Sequence, residues 1–113
     1  MEPIFEDMLA LGFRILTEGP QQVLICRTAD GEIHYASLSR IIDEDHTEEE
    51  ALLRELSGQA VTHIIALWED TSIDVPSYAF RQKLKKSCPG SEAALVLLQT
   101  GSGQMAIPLS RLP

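Results

Sequence analysis

The sequence predicts an α+β domain: a small mixed, mainly antiparallel sheet of about six strands, two or three helices packed against it, and two similar hairpins within the sheet. Three observations carry that reading. Thr28, Gly31, Glu32 and Ile33, followed by Ser37-Leu38-Ser39-Arg40-Ile41, are echoed by Thr100, Gly103, Gln104 and Met105, followed by Pro108-Leu109-Ser110-Arg111-Leu112, with one residue deleted. Each copy reads as an apolar strand, a glycine turn and a second strand. Val23-Leu24-Ile25-Cys26 is apolar on both faces, as a central strand is, and Val61–Trp68 is long and rich in β-branched residues, as suits a second interior strand. Thr47 stands three residues before Glu50, the capping-box spacing that opens a helix.

The elements follow in order. Ile4, Phe5, Met8 and Leu9 recur at helical spacing, so a short helix is expected from about Pro3 to Leu11, with Gly12 as its stop. Phe13-Arg14-Ile15-Leu16-Thr17 reads as a strand ended by Gly19-Pro20. The central strand at Val23 pairs through Asp30-Gly31, a type I′ hairpin signal, with a strand from Glu32 to about Leu38. The capped helix spans Glu48 to about Leu56 and is ended by Ser57-Gly58; the strand Val61–Trp68 follows. A helix from Pro76 to about Ser87 places Phe80 and Leu84 on one face and lysines at its end, where they complement the helix dipole. Ala94–Leu98 and Met105–Pro108 close the sheet around the Gly101-Ser102-Gly103 turn, with Pro108 at an edge or a strand end. Consecutive hairpins place the helices against one face, while the stretch from Val61 to Leu98 has the length of a βαβ crossover with one parallel pair.

At 113 residues the chain is expected to be a single domain with one core that needs no disulfide, metal or other cofactor for stability. Its N-terminus is acidic where a secretory signal needs positive charge, and no apolar run approaches the ~20 residues that span a bilayer. With two cysteines in unlike settings, Cys26 and Cys88, this predicts a soluble cytoplasmic protein with free thiols. The formal charge of −8 disfavours nucleic acid as a partner, because phosphate contacts need a broad basic face.

Charge is unevenly placed. Asp43, Glu44, Asp45, Glu48, Glu49, Glu50 and Glu55 are seven of the seventeen acids, and Arg81, Lys83, Lys85 and Lys86 are four of the nine bases. Asp43, Glu44, Asp45, Glu48 and Glu49 form a candidate acidic patch, and the four bases a candidate basic helix, each suited to a protein partner of opposite charge or to a second copy. Cys88, near those bases, is the better placed thiol for reactivity.

No catalytic, nucleotide-binding or metal-ligand spacing stands out: His34, His46 and His63 share no fixed interval, and Gly101-Ser102-Gly103 lacks the lysine and helix of a phosphate loop. The function expected from sequence is therefore a small binding or regulatory module acting through protein–protein contacts. The alternative is a degenerate or divergent metal-dependent nuclease- or hydrolase-like domain. The order of helix, three strands, helix and strand is similar to the core of a large nuclease fold, in which a strand carries a carboxylate, a spacer and a lysine; Glu32-Ile33-His34 stands in that place.

Overall fold

A computed structural model describes residues 3–38 and 47–112, with Thr47 described by its backbone alone. The chain runs α1 (Pro3–Leu16), β1 (Gln22–Thr28), β2 (Ile33–Leu38), α2 (Thr47–Leu56), β3 (Val61–Trp68), β4 (Ile73–Asp74), α3 (Tyr78–Ser87), β5 (Leu95–Thr100) and β6 (Gly103–Pro108), with single 3-10 turns at Ser91–Ala93 and Leu109–Arg111. The sheet has the order β2-β1-β3-β5-β6, and the short β4 pairs with β3. All pairings are antiparallel except β3 with β5, where His63 faces Leu95 and Ile64 faces Val96. The α+β class, the mixed six-stranded sheet and the parallel crossover through α3 agree with the sequence reading.

The layering differs from it. Side chains of a strand alternate between faces, and β1 and β3 are apolar at every position between Val23 and Cys26 and between Ile64 and Leu67. Both faces therefore need a cover. Val23, Ile25, Ile65 and Leu67 share a core with Phe5, Met8, Leu9 and Ile15 of α1. Leu24, Cys26, Ile64 and Ala66 share a second core with Leu52, Leu53 and Leu56 of α2 and Phe80 and Leu84 of α3. The helices thus lie on opposite faces rather than on one, in three layers.

The expected strand at Phe13–Thr17 is the last part of α1. Phe5, Met8, Leu9, Gly12 and Ile15 form one buried helical stripe, and this packing overrides the strand preference of the Phe-Arg-Ile-Leu-Thr run. Gly12 does not stop the helix. A Cβ there would lie 2.8 Å from Leu67 Cδ2 and 2.9 Å from Ile25 Cδ1, so the missing side chain lets α1 seat directly on β1 and β3. Gly19, at φ 108°, turns the chain beyond the helix end, where its amide bonds the Leu16 carbonyl at 3.1 Å.

Both echo segments form hairpins, and Leu38 and Leu109 are buried at matching exits. The loops explain the deleted residue: Thr28 N–H bonds the Glu32 carbonyl across a three-residue loop, whereas Thr100 pairs with Gly103 across two residues. The Asp30-Gly31 turn is not type I′, since only Gly31 has positive φ. It is a type I turn followed by a left-handed glycine. The Gly31 amide bonds the Thr28 carbonyl at 2.9 Å, and Asp30 Oδ1 accepts from the Glu32 amide at 3.0 Å and from the Thr28 hydroxyl. These two bonds, that from Thr28 foremost, hold the Asp30 carboxyl below its usual range.

The same turn recurs at residues 68–72. Trp68 N–H bonds the Ser72 carbonyl, Thr71 N–H bonds the Trp68 carbonyl, and Asp70 Oδ1 accepts from the Ser72 amide. Thr71, at φ 71°, occupies the place that Gly31 takes in the first turn. The Trp68 indole donates to Asp74 at 3.3 Å.

Candidate functional site

The charged surface is organised by α2 and α3, which lie side by side on one face of the sheet. They run in the same direction, because Glu50 pairs with Lys83 part-way along the helices and the Gly58 amide bonds the Ser87 carbonyl at their ends. Along α2, Glu50, Leu53, Arg54 and Ser57 fall at intervals of three, one and three residues, and along α3, Lys83, Lys86 and Ser87 fall at three and one, so each set forms one stripe. The two stripes face each other across a cleft of about 410 Å³. Leu53 is buried at its base, whereas Arg54, Ser57, Lys83 and Lys86 are exposed. Arg54 and Lys86 make no ion pair or side-chain hydrogen bond among the described residues.

The start of α3 is built differently from the expected first turn at Pro76. Ser77 is the cap, its hydroxyl accepting the Phe80 amide at 3.2 Å, and Pro76 lies just outside the helix. Phe80 is buried in the core beneath both helices. Arg81 is buried to 8% exposure with its guanidinium 5.6 Å from the Tyr78 ring centroid, so it does not join Lys83 and Lys86 on the wet face. Lys85 is half-buried and does not line the cleft.

The acidic candidates separate in the same way. Glu48 and Glu49 stand in the first turn of α2, and Asp43, Glu44 and Asp45 lie outside the described residues, as does His46. The Thr47 side chain of the expected capping box is likewise not described. Glu50 ion-pairs with Lys83, so the acidic and basic helices meet within one chain.

A second polar cluster lies at the sheet edge. His34 Nδ1 on β2 is 2.5 Å from Glu55 Oε1 on α2, and Nε2 is 3.7 Å from Glu32 Oε2. The His34 side chain is 11% exposed, and Nε2 is buried with no hydrogen-bond partner. Glu32 and His34 thus do come together, with Glu55 as a third member. His63 faces the opposite core, its ring edge-on to Phe5 at 5.0 Å. Among the described residues, no three His, Cys, Asp or Glu side chains gather as a metal cluster.

Cys88 is not a surface thiol. Its Sγ donates to the Leu56 carbonyl at 3.2 Å, and it is fully buried, as is Cys26. Burial pushes the Cys26 thiol far up from its usual range, with neighbouring Cys88 adding to the effect, and burial raises Cys88 as well. Both are therefore poor nucleophiles.

Arg54, Ser57 and Ser87 are not among the site residues expected from sequence, and Glu55 appears there only as one of the clustered acids. The signal for the first three was the helical spacing of the two stripes. Glu55 needed the β2–α2 packing, 21 residues apart in the chain.

No family model and no curated protein sequence matches this chain. Its fold, however, is shared with solved structures of one class, the cytidine deaminases. The Bacillus anthracis cytidine deaminase superposes with a TM-score of 0.70 at 16% identity, covering 93% of this chain and 83% of that one. The Mycobacterium leprae enzyme gives 0.66 at 11% identity over 90% and 92%, and the Mycobacterium tuberculosis enzyme 0.61 at 15% over 92% and 89%.

This likeness corrects the expected function. A module built only for protein–protein contacts does not account for a fold shared along nearly its whole length with a class of hydrolytic enzymes. The hydrolase-like alternative fits better than the interaction module. Among the described residues, no helix is long and apolar enough to cross a membrane.

Proposed function

We propose that this chain is a divergent hydrolase-like domain of the deaminase fold that has lost the metal-dependent reaction. Zinc deaminases hold their metal with a His or Cys placed two residues before a catalytic glutamate and with two cysteines in a Pro-Cys-x-x-Cys sequence; the zinc activates the attacking water. At the start of α3 this chain reads Pro76-Ser77-Tyr78-Ala79-Phe80, which keeps the proline and the spacing and replaces both cysteines.

Neither replacement suits a zinc ion, which takes thiolate, imidazole or carboxylate ligands. The Ser77 hydroxyl is engaged as the helix cap, and Phe80 is an apolar side chain at 1% exposure. His46-Thr47-Glu48 retains the other half of the pattern by spacing, but one imidazole without the two thiolates is an incomplete donor set. The residues do not fit the metal, and no hydrolytic step is assigned to them. The observation that carries this reading is the conversion of Ser77 and Phe80 from ligand positions to a cap and a core residue.

The test is metal content and turnover measured together. Protein expressed with added zinc, freed of loosely bound ions and assayed by elemental analysis is expected to hold far less than one zinc per chain and to leave cytidine unchanged. One tightly held zinc per chain, with conversion of cytidine to uridine, would overturn the proposal.

A further inference from the structure

The lining of the cleft between α2 and α3 runs against the formal charge of the chain. On a chain of formal charge −8, it gathers three of the nine bases, Arg54, Lys83 and Lys86, against one carboxylate, Glu50. Lys83 and Glu50 neutralise each other, which leaves Arg54 and Lys86. The C-termini of the two helices each contribute about half a negative charge nearby, so they offset about one of these two charges and a net positive site remains.

The other lining groups define what such a site accepts. Ser57 and Ser87 line the cleft together with the two cations, and guanidinium, ammonium and hydroxyl groups are the donor types that match the several acceptor oxygens of a phosphate. About 410 Å³ lies within the usual range for small-molecule sites and well above what a bare phosphate fills. Leu53 supplies an apolar base for the remainder. The surrounding negative charge selects a compact ligand over a polyanion such as nucleic acid.

We propose that this cleft binds a small phosphomonoester, with the phosphate held between Arg54 and Lys86 and the organic part over Leu53. The inference rests on the cleft alone and stands or falls independently of the lost zinc site.

The experiment is an amide-shift titration of the ¹⁵N-labelled chain with ribose 5-phosphate, with inorganic phosphate, and with chloride at matched ionic strength. Saturable shifts confined to residues 53–58 and 83–88 are expected with both phosphates, tighter for the ester, and no saturation with chloride. The double variant Arg54→Ala/Lys86→Ala, both positions being exposed and its fold checked by its own spectrum, is expected to bind about tenfold or more weakly. Arg14→Ala on α1, across the sheet, is expected to bind as the parent does. Linear shifts that match chloride, saturation unchanged in the double variant, or an ester that binds no tighter than inorganic phosphate would each overturn the proposal.

Discussion

His34 Nδ1 on β2 lies 2.5 Å from Glu55 Oε1 on α2, so the outermost strand is tied by one side-chain pair to the helix that covers it. Glu55 is more than half exposed and His34 nearly buried, and the cost of losing the pair falls on the imidazole. Glu55→Ala leaves Nδ1 without its acceptor and is expected to lower unfolding free energy by about 1 kcal/mol. A double-mutant cycle with His34→Ala, read by urea denaturation, is expected to show coupling of about 0.5 kcal/mol or more. Strict additivity would show that the two side chains act independently.

Thr71 holds the left-handed position of a turn whose other copy places Gly31 there. A β-branched residue in that conformation costs about 1–2 kcal/mol, and the greater freedom of unfolded glycine returns part of it. Thr71→Gly is therefore expected to stabilise the protein by roughly 0.5–1 kcal/mol, seen as a higher melting temperature. Gly31→Thr, the converse change, is expected to destabilise it. An unchanged or lower melting temperature for Thr71→Gly would refute the strain at this turn.

The buried thiols make stability fall in alkali. A free thiol in the unfolded chain ionises near pH 8.5, while Cys26 and Cys88 stay protonated to higher pH in the folded state. Above pH 8.5 the unfolded state thus binds fewer protons than the folded one, and each further pH unit favours unfolding by about 1.4 kcal/mol through Cys26 alone. Below that pH the contribution is constant. Denaturation midpoints compared at pH 7, 9 and 10 check the trend, and Cys26→Ala is expected to flatten it.

Much of the fold was legible because it depended on periodicity. The continuous apolar runs at Val23–Cys26 and Ile64–Trp68 required interior strands, and the glycine turns at Gly31 and Gly103 required hairpins. The same runs also implied two covered faces, since a strand apolar at consecutive positions has no wet side. The C-terminal half of α1 was obscured because Phe13-Arg14-Ile15-Leu16-Thr17 suits a strand locally; only the stripe continuing through Gly12 to Ile15 marks it as helix.

The site was less legible because charge was read along the chain and not around the helix. Glu50, Leu53, Arg54 and Ser57 share a face, whereas the acidic run from Asp43 to Glu50 drew attention to charge density. The fold class had no motif to announce it. On the proposed reading, Ser77 and Phe80 stand where paired cysteines would, which leaves only a proline, a spacing and His46-Thr47-Glu48 for the sequence to display.

The parallel pairing of β3 with β5 joins strands whose paired residues, His63 and Leu95, are 32 positions apart, and it consists of only two registered pairs. Closing so long a loop costs entropy before any ladder bond is gained. The hairpin of β5 and β6 has six registered pairs of its own and can form locally. The antiparallel pairing of β1 with β3 spans a still longer interval, 40 positions between Ile25 and Ile65, but its seven registered pairs offset that cost where the two of β3 and β5 do not. The attachment of the β5–β6 hairpin relies on Val96, Leu97 and Leu109 entering the two cores more than on the backbone ladder, making the C-terminal quarter the natural unit of partial opening.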